Sequence, residues 1–289
     1  MRGMILKNQN GYFTIYSEGG SLSLCRSRGK LKRKTDILVG DEVEFETDSG
    51  SEAVITHVYS RRNVLHRPPS ANIDCLVLVS AIRTPELNRH LLDKMIILAE
   101  DAGIEPLVVI TKTDLAQEEA KSAAAYYREA GYRAFSISLV NKEGMDDLHQ
   151  AFAGRITTFS GPSGVGKSSL LNEILGRPYF LSGTVSRHTG RGKTTTRHAE
   201  LVEWKPGHFL MDTPGYTLLD INHVNAGDLA FLFKEFRPFL GSCRFNNCIH
   251  DHEPDCAVRE AVEKGMVQKE RYHSYQQILQ ELKSDGFRR

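Results

Sequence analysis

Residues 161–169, GPSGVGKSS, fit the G-x-x-x-x-G-K-[ST] pattern of a loop that cradles phosphates. The run Gly161, Pro162, Ser163, Gly164, Val165 and Gly166 makes the turn, and its glycines let backbone N–H groups face an anion. Lys167 would then reach the β and γ phosphates, and Ser168 would hold Mg²⁺. Ser168 and Ser169 open a helical pattern whose N-terminus adds positive potential. Downstream, LMDTPG at 210–215 ends a strand pattern in Asp-x-x-Gly. There Asp212 suits Mg²⁺ through a water, and the Gly215 N–H suits a γ-phosphate. Between the two lies HTGRGKTTTRHAE, 188–200, whose threonines, Thr195 and Thr196 among them, could offer a hydroxyl to Mg²⁺. Local sequence alone reads that stretch equally well as a surface loop.

A fourth stretch explains which nucleotide is meant. VVITKTDLA, 108–116, closes a β-branched run with Thr111-Lys112-x-Asp114. The Asp114 carboxylate only accepts hydrogen bonds, and guanine presents its N1–H and N2 amine side by side. Adenine places an acceptor at N1, so the same carboxylate selects guanine and rejects adenine. The Lys112 stem can lie along the base, and backbone N–H groups near Ser138 and Leu139 could meet the guanine O6. The order is inverted, since base-reading elements ordinarily follow the phosphate loop. In a parallel sheet the ligand sits at the carboxyl ends of the strands, whichever strand comes first. Joining old ends and opening the chain elsewhere therefore preserves the geometry, and the order implies a circular permutation.

Near the C-terminus, CRFNNCIHDHEPDC gives Cys243-x₄-Cys248-x-His250-x₅-Cys256. Three thiolates and an imidazole make a closed tetrahedral set for one structural zinc, with His252 as an alternative ligand. Five cysteines in all are too few and too clustered for a disulfide scaffold, and isolated Cys25 and Cys75 read as small buried apolar residues. A reducing cytoplasm is the expected setting. The N-terminus lacks a secretory pattern, and no apolar run approaches the roughly 20 residues of a membrane span.

The elements that must place these groups follow from periodicity. Residues 1–66 alternate apolar and polar in GYFTIYS, SLSLCRS, GDEVEFET and EAVITHVYS, which predicts a barrel of about five strands, the OB-fold being a common type. RSRGKLKRK, 26–34, carries Arg26, Arg28, Lys30, Lys32, Arg33 and Lys34 and no acid, so it is either a solvated loop or a nucleic-acid contact. RPPSANID, 67–74, marks a boundary. Strand and helix patterns then alternate through 67–237, as a parallel sheet with helices on both faces requires. Residues 238–289 hold the cysteine cluster and a helical tail with Tyr272, Tyr275, Leu279 and Leu282 on one face. The fold class is multidomain α/β.

This permuted order, flanked by a barrel and a cysteine cluster, resembles the RsgA (YjeQ/YloQ) family of ribosome small-subunit-dependent GTPases along essentially the whole chain. The resemblance implies an OB-fold, a permuted GTPase domain with Mg²⁺ and GTP or GDP, and a zinc-containing C-terminal domain. It also implies a monomer that assists late assembly of the 30S subunit, bound to its 16S rRNA, with no membrane partner. The ligand set Cys243, Cys248, His250 and Cys256 matches the family pattern. Three positions depart from the family or from wider GTPases: Thr111 replaces Asn, Tyr216 stands where Ras-like proteins carry Gln, and Thr194 stands where a water-positioning His is expected. Neither His188 nor His198 occupies that position, so no residue carries the catalytic role over. A slow GTPase is expected, or alternatively a GTP-dependent binding switch with negligible hydrolysis.

Overall fold

The computed structural model describes residues 1–27, 36–46, 53–66, 68–152, 154–179, 199–212 and 221–286. They fall into two compact units, Met1–Val77 with Met145–Tyr216, and Leu78–Gly144 with Thr217–Arg289.

The first unit begins with a closed barrel of β1 (Arg2–Gln9), β2 (Tyr12–Ser17), β3 (Leu22–Ser27), β4 (Glu42–Glu46) and β5 (Ala53–Val58), in the order β1-β2-β3-β5-β4. Alternation drives Phe13, Ile15, Cys25, Val43, Phe45 and Ile55 inward. Strand β1 escapes that pattern. Gly3 to Leu6 are all buried, and the register against β2 shifts between Ile5 and Lys7, so the bulge breaks the period of two. Asn10 and Gly11, both at positive φ, close the β1–β2 hairpin as an Asn-Gly pair should.

Within the Pro-rich stretch read as a boundary, Pro69–Ala71 is a strand. This strand, β7, pairs antiparallel with β6 (Val64–His66). Asn63 exchanges two hydrogen bonds with the Ile73 backbone, 2.8 and 2.9 Å, and Arg62 pairs with Asp74 at 2.7 Å. Strand β8 (Cys75–Ala81) passes from this unit into the other. Within the first unit the strand order is β8, β11 (Ile156–Ser160), β13 (His208–Asp212), β12 (Val202–Lys205). The connecting helices are α3 (Met145–Ala151) and α4 (Lys167–Leu175). Strands β11 and β13 are parallel, whereas β12 returns antiparallel through a Pro206-Gly207 turn too short for a crossover.

In the second unit the order is β10 (Arg133–Ser136), β9 (Glu105–Thr111), β8, with β9 and β10 parallel. Helix α1 (Arg89–Asp101) starts at Asn88, whose side chain accepts the Leu91 N–H, and α2 (Gln117–Glu129) follows β9. The same unit contains α5 (Ala257–Glu263) and α6 (Lys269–Gly286). Their core joins Leu229, Phe233, Phe236, Val258, Tyr275 and Leu279 with Ile97 of α1. At its edge Arg271 is 1% exposed and pairs with Asp93 of α1 and with Glu235. Its guanidinium also lies 4.7 Å from the Phe233 ring centre.

Removing one member of a buried ion set leaves the others uncompensated. Arg271→Ala should therefore lower unfolding free energy by about 3–5 kcal/mol. Denaturant unfolding checks this, and a loss under about 1 kcal/mol, the range of an exposed pair, would contradict the assignment.

Candidate functional site

Strand β11 is buried throughout and hands its carboxyl end directly to the 161–166 loop. Val165, 1% exposed, pegs that loop to the core. Gly166 ends it at φ +95° with open space around its α-carbon, so backbone conformation, not crowding, calls for glycine there. Helix α4 starts at the next residue. Lys167 Nζ donates to the carbonyls of Gly161 at 2.6 Å and Pro162 at 2.8 Å, which sets a cation across the loop. Burial pushes its pKa below the usual lysine value, and the Asp212 carboxylate pushes it back up. Asp212 ends β13 beside Phe159 in the ladder, so it is delivered to the same end of its strand as the loop is of β11. Ser168 is half-buried and Ser169 exposed in the first turn of α4.

The base-reading stretch ends β9. Lys112 takes a left-handed backbone at φ +58°, and a 3-10 turn over Thr113–Leu115 presents Asp114 to solvent. Ser138 Oγ donates to Asp114 Oδ1 at 2.8 Å while accepting the Asn141 N–H at 3.1 Å, so its one proton is committed to the carboxylate. Lys112 Nζ donates to the Thr84 carbonyl, and Arg83 beside it pairs with Glu119. The expectation for the Ser138 amide changes. The Ser138 N–H goes to the Glu143 carbonyl at 3.1 Å, closing the 138–143 turn, so its amide is engaged there while its hydroxyl meets Asp114. The buried Thr111 hydroxyl reaches the Ser80 carbonyl at 3.3 Å and ties β9 to β8. Leu139, half-buried, follows Ser138 in that turn.

In the C-terminal part, Cys243, Cys248, His250 and Cys256 bring their ligand atoms within 4.8 Å of one another. His250 Nδ1 lies 3.5 Å from the Cys243 and Cys248 sulfurs and 3.4 Å from that of Cys256. The set could hold a metal ion. Burial lowers the His250 pKa, which favours the neutral ring a metal needs. The turn is fixed from two sides: Tyr272 Oη donates to the His250 and Asp251 carbonyls, and Glu253 accepts the Ile249 and Asp251 N–H groups. His252 is exposed and pairs with Asp251 at 3.3 Å, outside the cluster.

Of the basic run, Arg26 lies on β3 with its guanidinium 4.3 Å from the Tyr12 ring centre. Arg28, Lys30, Lys32, Arg33, Lys34, His188, Thr194, Thr195, Thr196, His198, Gly215 and Tyr216 lie outside the described residues. Among the described residues no helix is long and apolar enough to cross a membrane.

A phosphate loop on one buried strand, and a guanine-type carboxylate on another strand earlier in the chain, define a P-loop GTPase of permuted order. Residues 58–222 match the RsgA GTPase model and residues 2–55 the RsgA N-terminal domain. A protein named small ribosomal subunit biogenesis GTPase RsgA from Caldanaerobacter subterraneus is 42% identical, over 100% of this chain and 98% of its own. Its namesake from Geobacillus kaustophilus is 41% identical, over 97% of each. The solved structure of YloQ, described as a circularly permuted GTPase, aligns with a TM-score of 0.83 at 33% identity, covering 98% of this chain and 95% of that one. YjeQ from Thermotoga maritima aligns at 0.82 with 35% identity, covering 97% and 98%. The chain belongs to the RsgA GTPase family.

Asp114→Asn exchanges an acceptor for a donor against guanine while its Oδ1 can keep the Ser138 hydroxyl. GTP affinity should fall at least roughly 100-fold, and xanthine nucleotides, whose C2 carbonyl accepts, should gain. Competition binding reads both. An unchanged preference for GTP would remove Asp114 as the base reader.

Proposed function

We propose that this chain binds the small (30S) ribosomal subunit and hydrolyses GTP to GDP and phosphate on it during late subunit assembly. The observation that carries the reading is the full-length match to relatives of that name, in a chain that keeps the phosphate loop, the guanine carboxylate and the metal cluster together. The parts proposed are a barrel over 1–66, the permuted GTPase over 67–237 and the metal-holding domain over 238–289. It acts as a monomer in the cytoplasm.

Asp114 selects guanine, with its carboxylate oriented by Ser138. The Lys112 stem lies along the base, Thr111 fixes the strand end, and the Leu139 amide faces O6. Gly161 to Gly166 wrap the phosphates with Lys167 balancing their charge, and the start of α4, including Ser169, adds its N–H groups. Ser168, Asp212 and a hydroxyl from Thr195 or Thr196 hold Mg²⁺, and Gly215 meets the γ-phosphate. When bound, Mg²⁺ offsets negative charge on the phosphate oxygens. Arg26, Arg28, Lys30, Lys32, Arg33 and Lys34 contact 16S rRNA phosphates, which makes binding salt-dependent.

The metal is one structural zinc. Tetrahedral zinc bonds of about 2.3 Å to sulfur and 2.0–2.1 Å to nitrogen imply ligand separations of about 3.5–3.8 Å. The separations of 3.4–3.5 Å to His250 and 3.9 Å between the Cys243 and Cys256 sulfurs fit that size. Four ligands leave no open position for chemistry. Elemental analysis of protein purified without chelator should find one zinc per chain, and finding none would overturn the assignment.

A specific residue favours a second reading, a GTP-dependent switch with negligible turnover. Thr194 stands where relatives are expected to carry the water-positioning His, and a hydroxyl is both too short and too weak a base for that task. Losing one positioned acid–base group costs ~10²–10⁴ in rate. Turnover with and without purified 30S subunits separates the two readings: stimulation supports the enzyme, and nucleotide-dependent binding without turnover supports the switch. Thr194→His should raise subunit-stimulated turnover at least about tenfold. A parent that already turns over rapidly, with no gain in the variant, would show that another group positions the water.

A further inference from the structure

Three loops leave the carboxyl ends of β8, β9 and β10 in the second unit, and hydrogen bonds tie them to one another. The Ile82 N–H donates to the Thr111 carbonyl at 3.0 Å, so the loop after β8 starts against the end of β9. Gln117 Nε2, at the start of α2, lies 3.4 Å from Glu143 Oε2 in the 138–143 turn. The loop after β8 then supplies the Thr84 carbonyl, which accepts the Lys112 ammonium. Thr84 has a left-handed backbone at φ +49°, as Lys112 does at +58°. That conformation is costly for a β-branched residue, which keeps it only where its surroundings impose it. The residue before it makes such contacts. Arg83 Nη1 donates to the Ile82 carbonyl and to Glu86 Oε2, both at 3.1 Å, and Nη2 donates to Glu119 Oε2 on α2. Its guanidinium therefore spans the loop from 82 to 86 and fastens it to the helix that follows Asp114.

We propose that Arg83 is a positioning residue for guanine recognition, holding the Thr84 carbonyl where it fixes the head of Lys112. The proposal rests on the reading of Lys112 and Asp114 as the residues that receive the base, and it adds the group that sets the Lys112 side chain beforehand. Its physical basis is side-chain entropy. A lysine has many rotamers to lose, and ordering it at the moment of binding opposes binding. A head already anchored on a carbonyl leaves the stem in place, so less ordering remains when the base arrives. The stem meets the base and not the phosphates, so the effect is the same for GDP and GTP. The side chains of Arg83 and Glu119 are 33% and 60% exposed, so the pair is screened and the effect is modest.

The test uses the full chain with Mg²⁺ and two labelled nucleotides, GDP and a non-hydrolysable GTP analogue. Arg83→Ala should weaken both by the same factor, about threefold to fivefold. Lys112→Met keeps an unbranched apolar stem and loses the ammonium. In that background Arg83→Ala should add less than about 1.5-fold, because the group through which Arg83 acts is gone. Without nucleotide, the melting temperature of Arg83→Ala should stay within about 2 °C of the parent, as for other surface substitutions. Additive losses in the double variant, weakening of one nucleotide without the other, or no change in either would overturn the proposal. So would a larger fall in melting temperature that accounts for the lost binding. A parent that binds ATP as tightly as GTP would instead overturn the base-site reading on which the proposal rests.

Discussion

A strand of a parallel sheet delivers its following loop at its carboxyl end, and the candidate site groups described in the GTPase part take their places from that geometry. Strand β9 ends in Lys112 and Asp114, β11 in the phosphate loop, and β13 in Asp212. Each strand is largely buried on both faces, with Leu107, Val109, Phe159 and Leu210 fully buried, so the loops start from fixed anchors. Nothing in this arrangement depends on which strand the chain visits first. A permuted order is tolerated because the loops inherit position from their strands, not from their neighbours in sequence.

The loops themselves are held by hydrogen bonds that orient Asp114 and Lys167. Ser138 fixes one oxygen of Asp114, and carbonyls of the phosphate loop fix the Lys167 ammonium. Both devices place charge before a ligand arrives, which lowers the ordering cost of binding. The C-terminal part meets a different constraint. It includes 3-10 turns over Leu229–Leu232 and Lys234–Phe239, and a cluster able to hold a metal ion stands beside the core, where more apolar area would otherwise be needed. Arg271 then anchors α6 to α1 through buried charge.

The sequence revealed what is local. The phosphate loop, the Asp114 motif and the Cys243–Cys256 cluster each concentrate their chemistry in consecutive or closely spaced residues, and the family resemblance followed from their order. Four barrel strands are legible from alternation, but β1 is not, because a bulge and an unbroken buried run from Gly3 to Leu6 hide its period. The Pro-rich 67–74 stretch looks like a linker because its hydrogen bonds come from Arg62 and Asn63, outside it. That the Ser138 amide closes a turn to Glu143 while its hydroxyl meets Asp114 is set by that turn, which the local sequence does not announce. The Arg83–Glu119 pair joins residues far apart in the chain, and neither residue type signals a partner on its own.

The proposed function requires guanine selection by Asp114, and equilibrium competition between GTP and ATP for the unmodified chain decides it. A carboxylate that accepts from N1–H and N2 meets an acceptor on adenine, so ATP should bind at least roughly 100-fold more weakly than GTP. Equal affinity for the two nucleotides would contradict the account.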